Sequence, residues 1–388
     1  VVVVLSNGGP IEMPWVDKPK AIFESYLLGE AGGAAIIDLV FGEQSPSGKL
    51  SESFPIQLSD VLADKNFPGT RDKVEYREGL DVGYRYFDSA QRAVRFPFGH
   101  GLTYTTFSYG ELDIELHEDD LKSKLVNVSF DLTNEGKVAA KEVVQCYVHD
   151  VSASVYRPFQ ELRAFDKVLL QPGETKRVSL LLSYEAFSFY DIGVKDWIVE
   201  PGSFEIRVGS SSRDIRQKEI IEFKMGESAS AAAQASYPPR SYGVVEEVDD
   251  EVFSRRFGGT VLEAIDRSIP TNHAVVNRNS LLKEVSSSST LGKFLRWVVF
   301  KGATNDLKPG PSFQRDQKLL EAAVCNLPLR TMVLFGSGML SFELMDAMIS
   351  TMNGLYGKAV AEFFVALIPF RKKATNRSIE YSPVPIEP

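Results

Sequence analysis

The chain has 388 residues, of which 44% are hydrophobic and 24% charged, a composition typical of globular proteins with two or three domains. Its formal net charge of −9 offers no basic surface for a nucleic acid or an anionic membrane, and no apolar run reaches the roughly 18 residues of a membrane span. The two cysteines and four histidines lack the spacing of a disulfide framework or a metal site. The composition therefore argues against nucleic-acid-binding, membrane-spanning and metal-dependent classes.

The first part of the chain predicts an α/β domain. Val1–Leu5 is a continuous apolar run, which is typical of a parallel strand buried on both faces. Apolar residues at helical spacing predict two helices, over Lys18–Leu28 and Ala34–Phe41. A short strand is predicted over Ser51–Phe54, and the Gly-, Arg- and aromatic-rich residues 66–100 indicate ordered loops.

The turn after the first strand does not have the features of a nucleotide site. A dinucleotide-binding turn needs three spaced glycines, so that backbone N–H groups can approach the pyrophosphate. Here the strand is followed by NGGP, and Pro10 removes a backbone donor where donors are needed. The sequence therefore predicts a sharp turn at the end of the strand.

From residue 106 onward the hydrophobic pattern changes to a period of two. In VNVSFDL the apolar side chains that would share one face are Val126, Val128, Phe130 and Leu132. RVSLLLS and SFEIRVG alternate in the same way, and NEGK, QPGE and EPGS are turn signals beside these strands. This pattern predicts an antiparallel β-sandwich over residues 106–225.

Two further segments complete the predicted organisation. Residues 226–250 are rich in small residues, prolines and acidic residues, which indicates a solvated linker. Apolar residues recur at helical spacing within 340–348 and 360–367, so residues 251–388 are predicted to be a helical extension with packed apolar faces. The predicted fold class is thus a multidomain α/β plus all-β protein with a helical C-terminal extension.

Long motifs, in order, resemble glycoside hydrolase family 3. The segments VVVVLSNGGPIEMPW, LLGEAGGAAIIDLVFGEQSPSGKLSESFP, YREGLDVGYRYFD and FPFGHGLTYTTFSYG are similar to the second half of that family's α/β-sandwich domain, here residues 1–105. The segments from DLTNEGKVAAKEVVQCYVHD to VEPGSFEIRVGSSSRDIR resemble its fibronectin type III-like domain. The helical tail is similar to an extension found on some bacterial members.

The resemblance implies a β-glucosidase-like enzyme that hydrolyses terminal β-D-glycosides with retention of configuration and without a cofactor. That chemistry needs a carboxylate nucleophile and a second carboxyl group as acid/base. In the family the nucleophilic Asp lies in an N-terminal TIM barrel, and the acid/base Glu lies upstream of the strand that opens this chain. The resemblance therefore implies a C-terminal portion without catalytic residues, which we expect to be inactive alone.

Three carboxylates in the chain are alternative candidates for catalysis. Glu12 follows the first strand, at the edge where open α/β sheets bind ligands. Glu78 and Asp81 lie in the YREGLDVGYR loop. The competing interpretation is structural, in which Glu78 accepts backbone hydrogen bonds or pairs with Arg77 or Arg85.

Aromatic and histidine residues raise the same choice between function and packing. His100 has an ordinary pKa near neutrality, but its position in FGHG favours a buried histidine that bonds to the backbone at the crossover between domains. Four aromatic residues have two possible interpretations, stacking on sugar rings or packing at the domain interface. They are Trp15, Tyr84, Tyr86 and Phe87.

A second hypothesis makes the sandwich a carbohydrate-binding or interaction module. It would require an exposed aromatic strip, whereas the aromatic residues at one end are predicted to pack against the neighbouring domain; they are Phe187, Phe189, Tyr190 and Trp197. The expected partners are β-linked glucosides, with homo-oligomerisation left open. The low cysteine content favours a cytoplasmic location.

Overall fold

The computed structural model describes residues 1–67, 69, 74–117, 125–224, 226–244, 248–257, 276–304, 310, 313–335 and 340–367. These residues divide into two compact units. The first unit contains the described residues up to 257, and the second begins, among described residues, at 276.

The α/β part begins with two parallel strands, β1 (Val2–Leu5) and β2 (Ala21–Glu24). The helix predicted over Lys18–Leu28 is therefore wrong. The apolar residues of β2 are consecutive, and their backbone groups pair with β1 in a register that places Val3 opposite Ile22. A short apolar run does not distinguish a strand from a helix, and here the pairing with β1 decides between them.

A helix and a set of turns follow these strands. Helix α1 (Gly32–Phe41) confirms the predicted second helix and ends at Gly42, which has φ of 80°. The predicted strand Ser51–Phe54 is reduced to one bridge between Phe54 and Phe96. Two 3-10 turns follow, Leu58–Asp60 and Leu62–Lys65, and the stretch 66–100 that we predicted as loops contains one short helix, α2 (Tyr84–Ser89).

The prediction that the first strand is buried on both faces is wrong for the described structure. Val1, Val2 and Val4 are 90%, 46% and 39% exposed, because β1 pairs with β2 in a sheet of only two strands. The apolar residues Val40 and Phe41 of α1 are also exposed. This part of the chain therefore presents several apolar side chains to solvent.

The sandwich confirms the prediction for residues 106–225. One sheet has the order β12-β11-β6-β7. In the other sheet β5 is central: it pairs with β3 and β4 along one edge and with β8 along its other edge. The strands are β3 (Phe107–Tyr109), β4 (Asp113–His117), β5 (Leu125–Asn134), β6 (Ala140–Asp150), β7 (Glu161–Leu170), β8 (Thr175–Leu182), β9 (Phe189–Asp191), β10 (Asp196–Ile198), β11 (Gly202–Ser211) and β12 (Asp214–Phe223). Strands β9 and β10 form a separate hairpin.

The core lies between the two large sheets. The four alternating apolar side chains predicted to share a face of β5, from Val126 to Leu132, are completely buried. They meet Phe204, Ile206 and Val208 of β11 in one cluster. Burial in this cluster raises the pKa of Cys146 to about 12, so this thiol is a packing residue.

The described part of the predicted linker packs against the sandwich instead of forming a solvated spacer. It contains α3 (Ala231–Ser236), whose N-cap Ser230 donates to Asp191 at 2.5 Å, and Ala233 is buried. Tyr242 packs edge-on against the rings of His149 and Phe159. These contacts hold the stretch on the sandwich surface, and α4 (Asp250–Phe257) follows it.

The second unit is helical, as predicted. Its helices are α5 (Leu282–Ser288), α6 (Thr290–Thr304), α7 (Phe313–Cys325), α8 (Leu329–Phe335), α9 (Phe342–Met352) and α10 (Tyr356–Leu367). Met345 of α9 is completely buried in the core of this unit. The packed face predicted for α10 is wrong, since Val360, Phe363 and Phe364 are 55%, 46% and 64% exposed.

Parts of the predicted extension, residues 258–275 and 368–388, lie outside the described residues. Across the described helices of the chain, none is both long and apolar enough to cross a membrane.

Candidate functional site

The YREGLDVGYRYFD segment is tied to the sandwich by buried polar side chains, beginning with Asp81. The Asp81 carboxylate is 7% exposed and accepts hydrogen bonds from the Tyr156 hydroxyl and, at 2.6 Å, from Arg240. The Arg240 guanidinium also lies 3.4 Å from the centre of the Tyr156 ring. Asp81 therefore joins the loop to the sandwich and to the segment after it.

Helix α2 continues this anchoring with Tyr84. Its hydroxyl accepts the backbone N–H of Leu162 at 2.8 Å, and its ring stacks on Phe98 with 4.4 Å between centroids. Burial raises the pKa of Tyr84, so the hydroxyl stays protonated. The ring is thus occupied by protein contacts, which favours the packing interpretation over sugar stacking.

The last residues of α2 complete the attachment. Asp88 accepts hydrogen bonds from Gln160 at 3.0 Å and from Arg213 at 2.8 Å, and Ser89 Oγ accepts the Phe159 N–H at 2.8 Å. These bonds reach two different loops of the sandwich. The segment is therefore a docking element with many polar contacts.

The SPSGKL loop makes a second attachment through Lys49. Its ammonium donates to the Gly101 carbonyl at 3.1 Å and to Glu142 at 3.2 Å, and Glu142 also accepts the Tyr109 hydroxyl at 3.0 Å. Burial raises the pKa of Glu142 and that of Tyr109. The three side chains satisfy one another in a mostly buried cluster at the start of the sandwich.

His100 has a structural setting, as predicted, but through different atoms. Its backbone carbonyl accepts the Leu50 N–H at 2.8 Å, while the ring stacks on Phe96 with 5.3 Å between centroids. Burial, together with the nearby Lys49 charge, lowers the pKa of His100. The imidazole therefore packs on an aromatic ring, and it makes no hydrogen bond to the backbone of the described residues.

The candidate carboxylates Glu12 and Asp81 are held by different partners in the fold. Exposed Glu12 accepts the Leu58 N–H at 2.6 Å. The pairing predicted for Glu78 is wrong, since Arg77 bonds to Glu75 and Asp250, and Arg85 pairs with Glu161. Among the described residues, no hydrogen bond joins any two of the candidates.

The other aromatic candidates divide into buried and exposed residues. Tyr86 and Phe87 are buried in a small core, and Phe187 belongs to the main core of the sandwich. Tyr190 and Trp197 are 48% and 50% exposed, but their rings meet edge to face at 73°. This pair does not form the flat strip on which a sugar chain would stack.

A cluster that the sequence analysis did not single out surrounds Glu161 at the start of β7. Its carboxylate contacts Arg85 at 3.4 Å, Arg157 at 3.1 Å and Arg163 at 2.7 Å. Burial alone would raise the pKa of Glu161, but the adjacent arginines lower it below the ordinary value. The run RPFQELR, with an arginine on each side of one Glu, was the available signal. A cavity of about 400 Å³ adjoins this cluster.

His149 on β6 gives a pH-dependent prediction. Burial, followed by the Arg207 charge, lowers its pKa, and Nδ1 is buried without a hydrogen-bond partner. As the pH falls, His149 is therefore protonated in the unfolded chain before it is protonated in the folded protein. The contribution of neutral His149 to the free energy of unfolding is present above pH 6.5 and is lost as the pH falls below that value. We expect His149→Gln to flatten the decline in the free energy of unfolding between about pH 7.5 and pH 5.

Urea unfolding at several pH values, followed by tryptophan fluorescence, measures this effect. The reporter background is the double variant Trp15→Phe with Trp297→Phe, in which the one tryptophan left is Trp197 of the sandwich. The prediction would be contradicted if the free energy of unfolding fell equally steeply with decreasing pH in the reporter background with and without His149→Gln.

A second prediction concerns Asp81. Asp81→Asn keeps an oxygen that accepts the Tyr156 hydroxyl but removes the charge that faces Arg240, so we expect a loss of about 1.5–3 kcal/mol in the free energy of unfolding. The matched control is Asp113→Asn, which breaks an exposed pair with Arg177 and should cost less than about 1 kcal/mol. Equal costs in urea unfolding would show that Asp81 is not an anchor.

Two family models match the chain. Residues 1–104 match the glycosyl hydrolase family 3 C-terminal domain, and residues 142–212 match a fibronectin type III-like domain. Both matches fall within the segments that the sequence motifs indicated.

Curated relatives agree with these matches. Thermostable beta-glucosidase B from Acetivibrio thermocellus is 39% identical over 355 residues, which cover 92% of this chain and 41% of that protein. An exo-alpha-(1->6)-L-arabinopyranosidase from Bifidobacterium breve is 44% identical over 218 residues, 56% of this chain and 28% of that protein. The chain thus spans less than half of the length of these relatives.

A solved structure has the same fold. The beta-glucosidase from Kluyveromyces marxianus superimposes with a TM-score of 0.56 at 37% identity, over 59% of this chain and 27% of that one. The sequence motifs, the fold and the relatives therefore agree. The chain belongs to glycosyl hydrolase family 3, whose C-terminal domain it carries over residues 1–104, followed by a fibronectin type III-like domain that includes residues 142–212.

Proposed function

We propose that this chain is the structural, C-terminal part of a β-glucosidase that cleaves terminal β-D-glucosides with retention of configuration. Identity of 39% to a beta-glucosidase over 92% of the chain supports the activity. The observation that carries the structural role is the docking of the YREGLDVGYRYFD segment, in which Asp81, Tyr84 and Asp88 are all committed to the sandwich.

The proposal assigns the catalytic carboxylates to a part of the enzyme other than residues 1–388. A retaining glycosidase needs two carboxyl groups about 5–5.5 Å apart. Asp81 is already bonded to Arg240 and Tyr156, and Glu12 caps the backbone at Leu58. In this proposal the sandwich supports the irregular loops of the α/β domain, as a rigid scaffold supports a site built on loops.

A fusion protein tests the proposal. The part of thermostable beta-glucosidase B that this chain does not match would be placed before Val1, and hydrolysis of 4-nitrophenyl β-D-glucoside would be measured. We expect the fusion protein to turn over substrate and residues 1–388 alone to be inactive. Saturable turnover by residues 1–388 would contradict the proposal.

Two single variants of the fusion protein test the assignment of the carboxylates. Loss of a general acid/base lowers the rate by roughly 10²–10⁴-fold, so Glu12→Gln and Glu78→Gln should each retain activity within about tenfold of the parent. A larger loss in a variant that melts like the parent would place catalysis in this chain.

The sugar specificity needs a panel of substrates. A beta-glucosidase and an arabinopyranosidase share 39% and 44% identity with this chain, so we expect the sugar specificity to be set outside residues 1–388. We therefore expect a fusion protein to release 4-nitrophenol from an α-L-arabinopyranoside when its N-terminal part comes from the arabinopyranosidase. A fusion protein whose N-terminal part comes from the beta-glucosidase should prefer the β-D-glucoside. Binding of cello-oligosaccharides by residues 1–388 without turnover would instead favour the binding-module hypothesis.

The cytoplasmic location stays a prediction, and homo-oligomerisation stays open. Both cysteines, Cys146 and Cys325, are free, which suits a reducing compartment.

A further inference from the structure

The cavity beside Glu161 has the size and lining of a small-molecule site. Its volume of about 400 Å³ lies in the range of roughly 300–1,000 Å³ that is typical of ligand pockets. Much of its wall is apolar or aromatic, formed by Leu80, Val155, Phe189, Tyr190, Trp197 and Tyr237. The cavity is formed by the YREGLDVGYR loop, two loops of the sandwich and helix α3.

The polar groups of the wall are mainly cationic. Arg85, Arg157 and Arg163 all line the cavity, and Glu161 is the carboxylate that they share. Arg157 has a second carboxylate partner, Asp150, at 3.2 Å. The charged groups that line the cavity are thus three guanidinium groups and one carboxylate, and Asp150 lies outside the lining.

The hydrogen-bonding capacity of these arginines is not used up. Within the described structure, Nε of Arg85 and Nε of Arg163 are buried without a hydrogen-bond partner. Arg157, by contrast, donates to Asp150, to Glu161 and to the backbone carbonyls of Phe187 and Ser188. These Nε atoms are closed off from solvent, so a bound acceptor would meet the exposed parts of the Arg85 and Arg163 guanidinium groups, whose side chains are 39% and 21% exposed.

We propose that this cavity binds an aryl carboxylate, with its ring against the aromatic wall and its carboxylate near Arg85 and Arg163. The lining is predominantly cationic, and guanidinium groups bind carboxylates with strong, directed hydrogen bonds. The half-exposed faces of Tyr190 and Trp197 supply apolar area for the ring. This site is independent of the glycosidase activity, since it uses neither a catalytic carboxylate nor a sugar.

Calorimetric titration of residues 1–388 with 4-hydroxycinnamate tests the proposal, and 4-hydroxycinnamyl alcohol is the neutral control. We expect saturable binding of the acid and at least about tenfold weaker binding of the alcohol, because the alcohol lacks the charge that the arginines recognise. No saturable binding of the acid up to about 10 mM, or equal affinity for both compounds, would overturn the proposal.

Two variants locate the site. Arg85→Gln removes a half-exposed guanidinium whose ion pair with Glu161 is long, at 3.4 Å, and should weaken binding of the acid about tenfold. Trp197→Ala removes part of the aromatic wall and should weaken both compounds. The control is Arg177→Gln, an exposed arginine that does not line the cavity and should leave binding unchanged.

The melting temperature of each variant separates a lost site from a lost fold. Binding of the acid by Arg85→Gln with the parent affinity would overturn the assignment of the carboxylate position. Equal weakening by Arg177→Gln would show that the effect is general electrostatics and would also overturn the site.

Discussion

Replacing Arg157 by alanine is expected to lower the free energy of unfolding of the sandwich by about 3–5 kcal/mol. The Arg157 side chain is 6% exposed and pairs with Asp150 at 3.2 Å and Glu161 at 3.1 Å. It also donates to the carbonyls of Phe187 and Ser188. Its removal takes away the charged partner of buried Asp150 and the donor to two buried carbonyls, and we expect this penalty to exceed the loss of an exposed ion pair.

Urea unfolding in the reporter background at pH 7 measures this loss. The matched control is Arg177→Ala, whose ion pair with Asp113 joins side chains that are 48% and 61% exposed and should cost less than about 1 kcal/mol. A change below about 1 kcal/mol for Arg157→Ala as well would show that the cluster does not stabilise the fold.

Gly99→Ala is expected to lower the free energy of unfolding by about 3–5 kcal/mol. Gly99 has φ of 79°, a left-handed conformation that costs roughly 1–2 kcal/mol in a residue with a Cβ. An added Cβ would lie 2.0 Å from Gln145 Oε1. Gln145 can move aside only by giving up buried bonds to the Gly99 and Ser210 carbonyls and to the Tyr147 hydroxyl.

Gly173→Ala separates the two contributions. Gly173 has φ of 75°, and an added Cβ would meet nothing within 4 Å, so only the cost of roughly 1–2 kcal/mol for the backbone should appear. Urea unfolding of both variants in the reporter background provides the comparison. Equal losses at the two positions would show that the contact with Gln145 has no part in the effect.

The sandwich could be predicted because its pattern is local. Alternation in β5 states which side chains face the core, and the structure buries the same residues, Val126 to Leu132. The first strands were harder to predict, because a run of three apolar residues such as 21–23 carries no period of its own. Its state depended on the backbone partner that β1 provides.

The roles of the candidate carboxylates depended on contacts between distant parts of the chain. Asp81 could have been catalytic or structural from its motif alone, and Tyr156 and Arg240 make it an anchor. Glu78, its neighbour in the same motif, does not pair with the arginines beside it, because Arg85 on α2 reaches Glu161 on β7. Local spacing cannot encode which of several acidic residues a long arginine side chain will reach.

By itself, the sequence determined the family relationship, the α/β part followed by a sandwich and helices, and the inward faces of the sandwich strands. These properties reside in long motifs and in a period of two, both of which are read along the chain. Only the tertiary structure decided the exposed first strand, the docking of residues 226–244, the arginine cluster at Glu161 and the cavity beside it. The physical reason is that burial and charge pairing are set by side chains that folding brings together from distant positions.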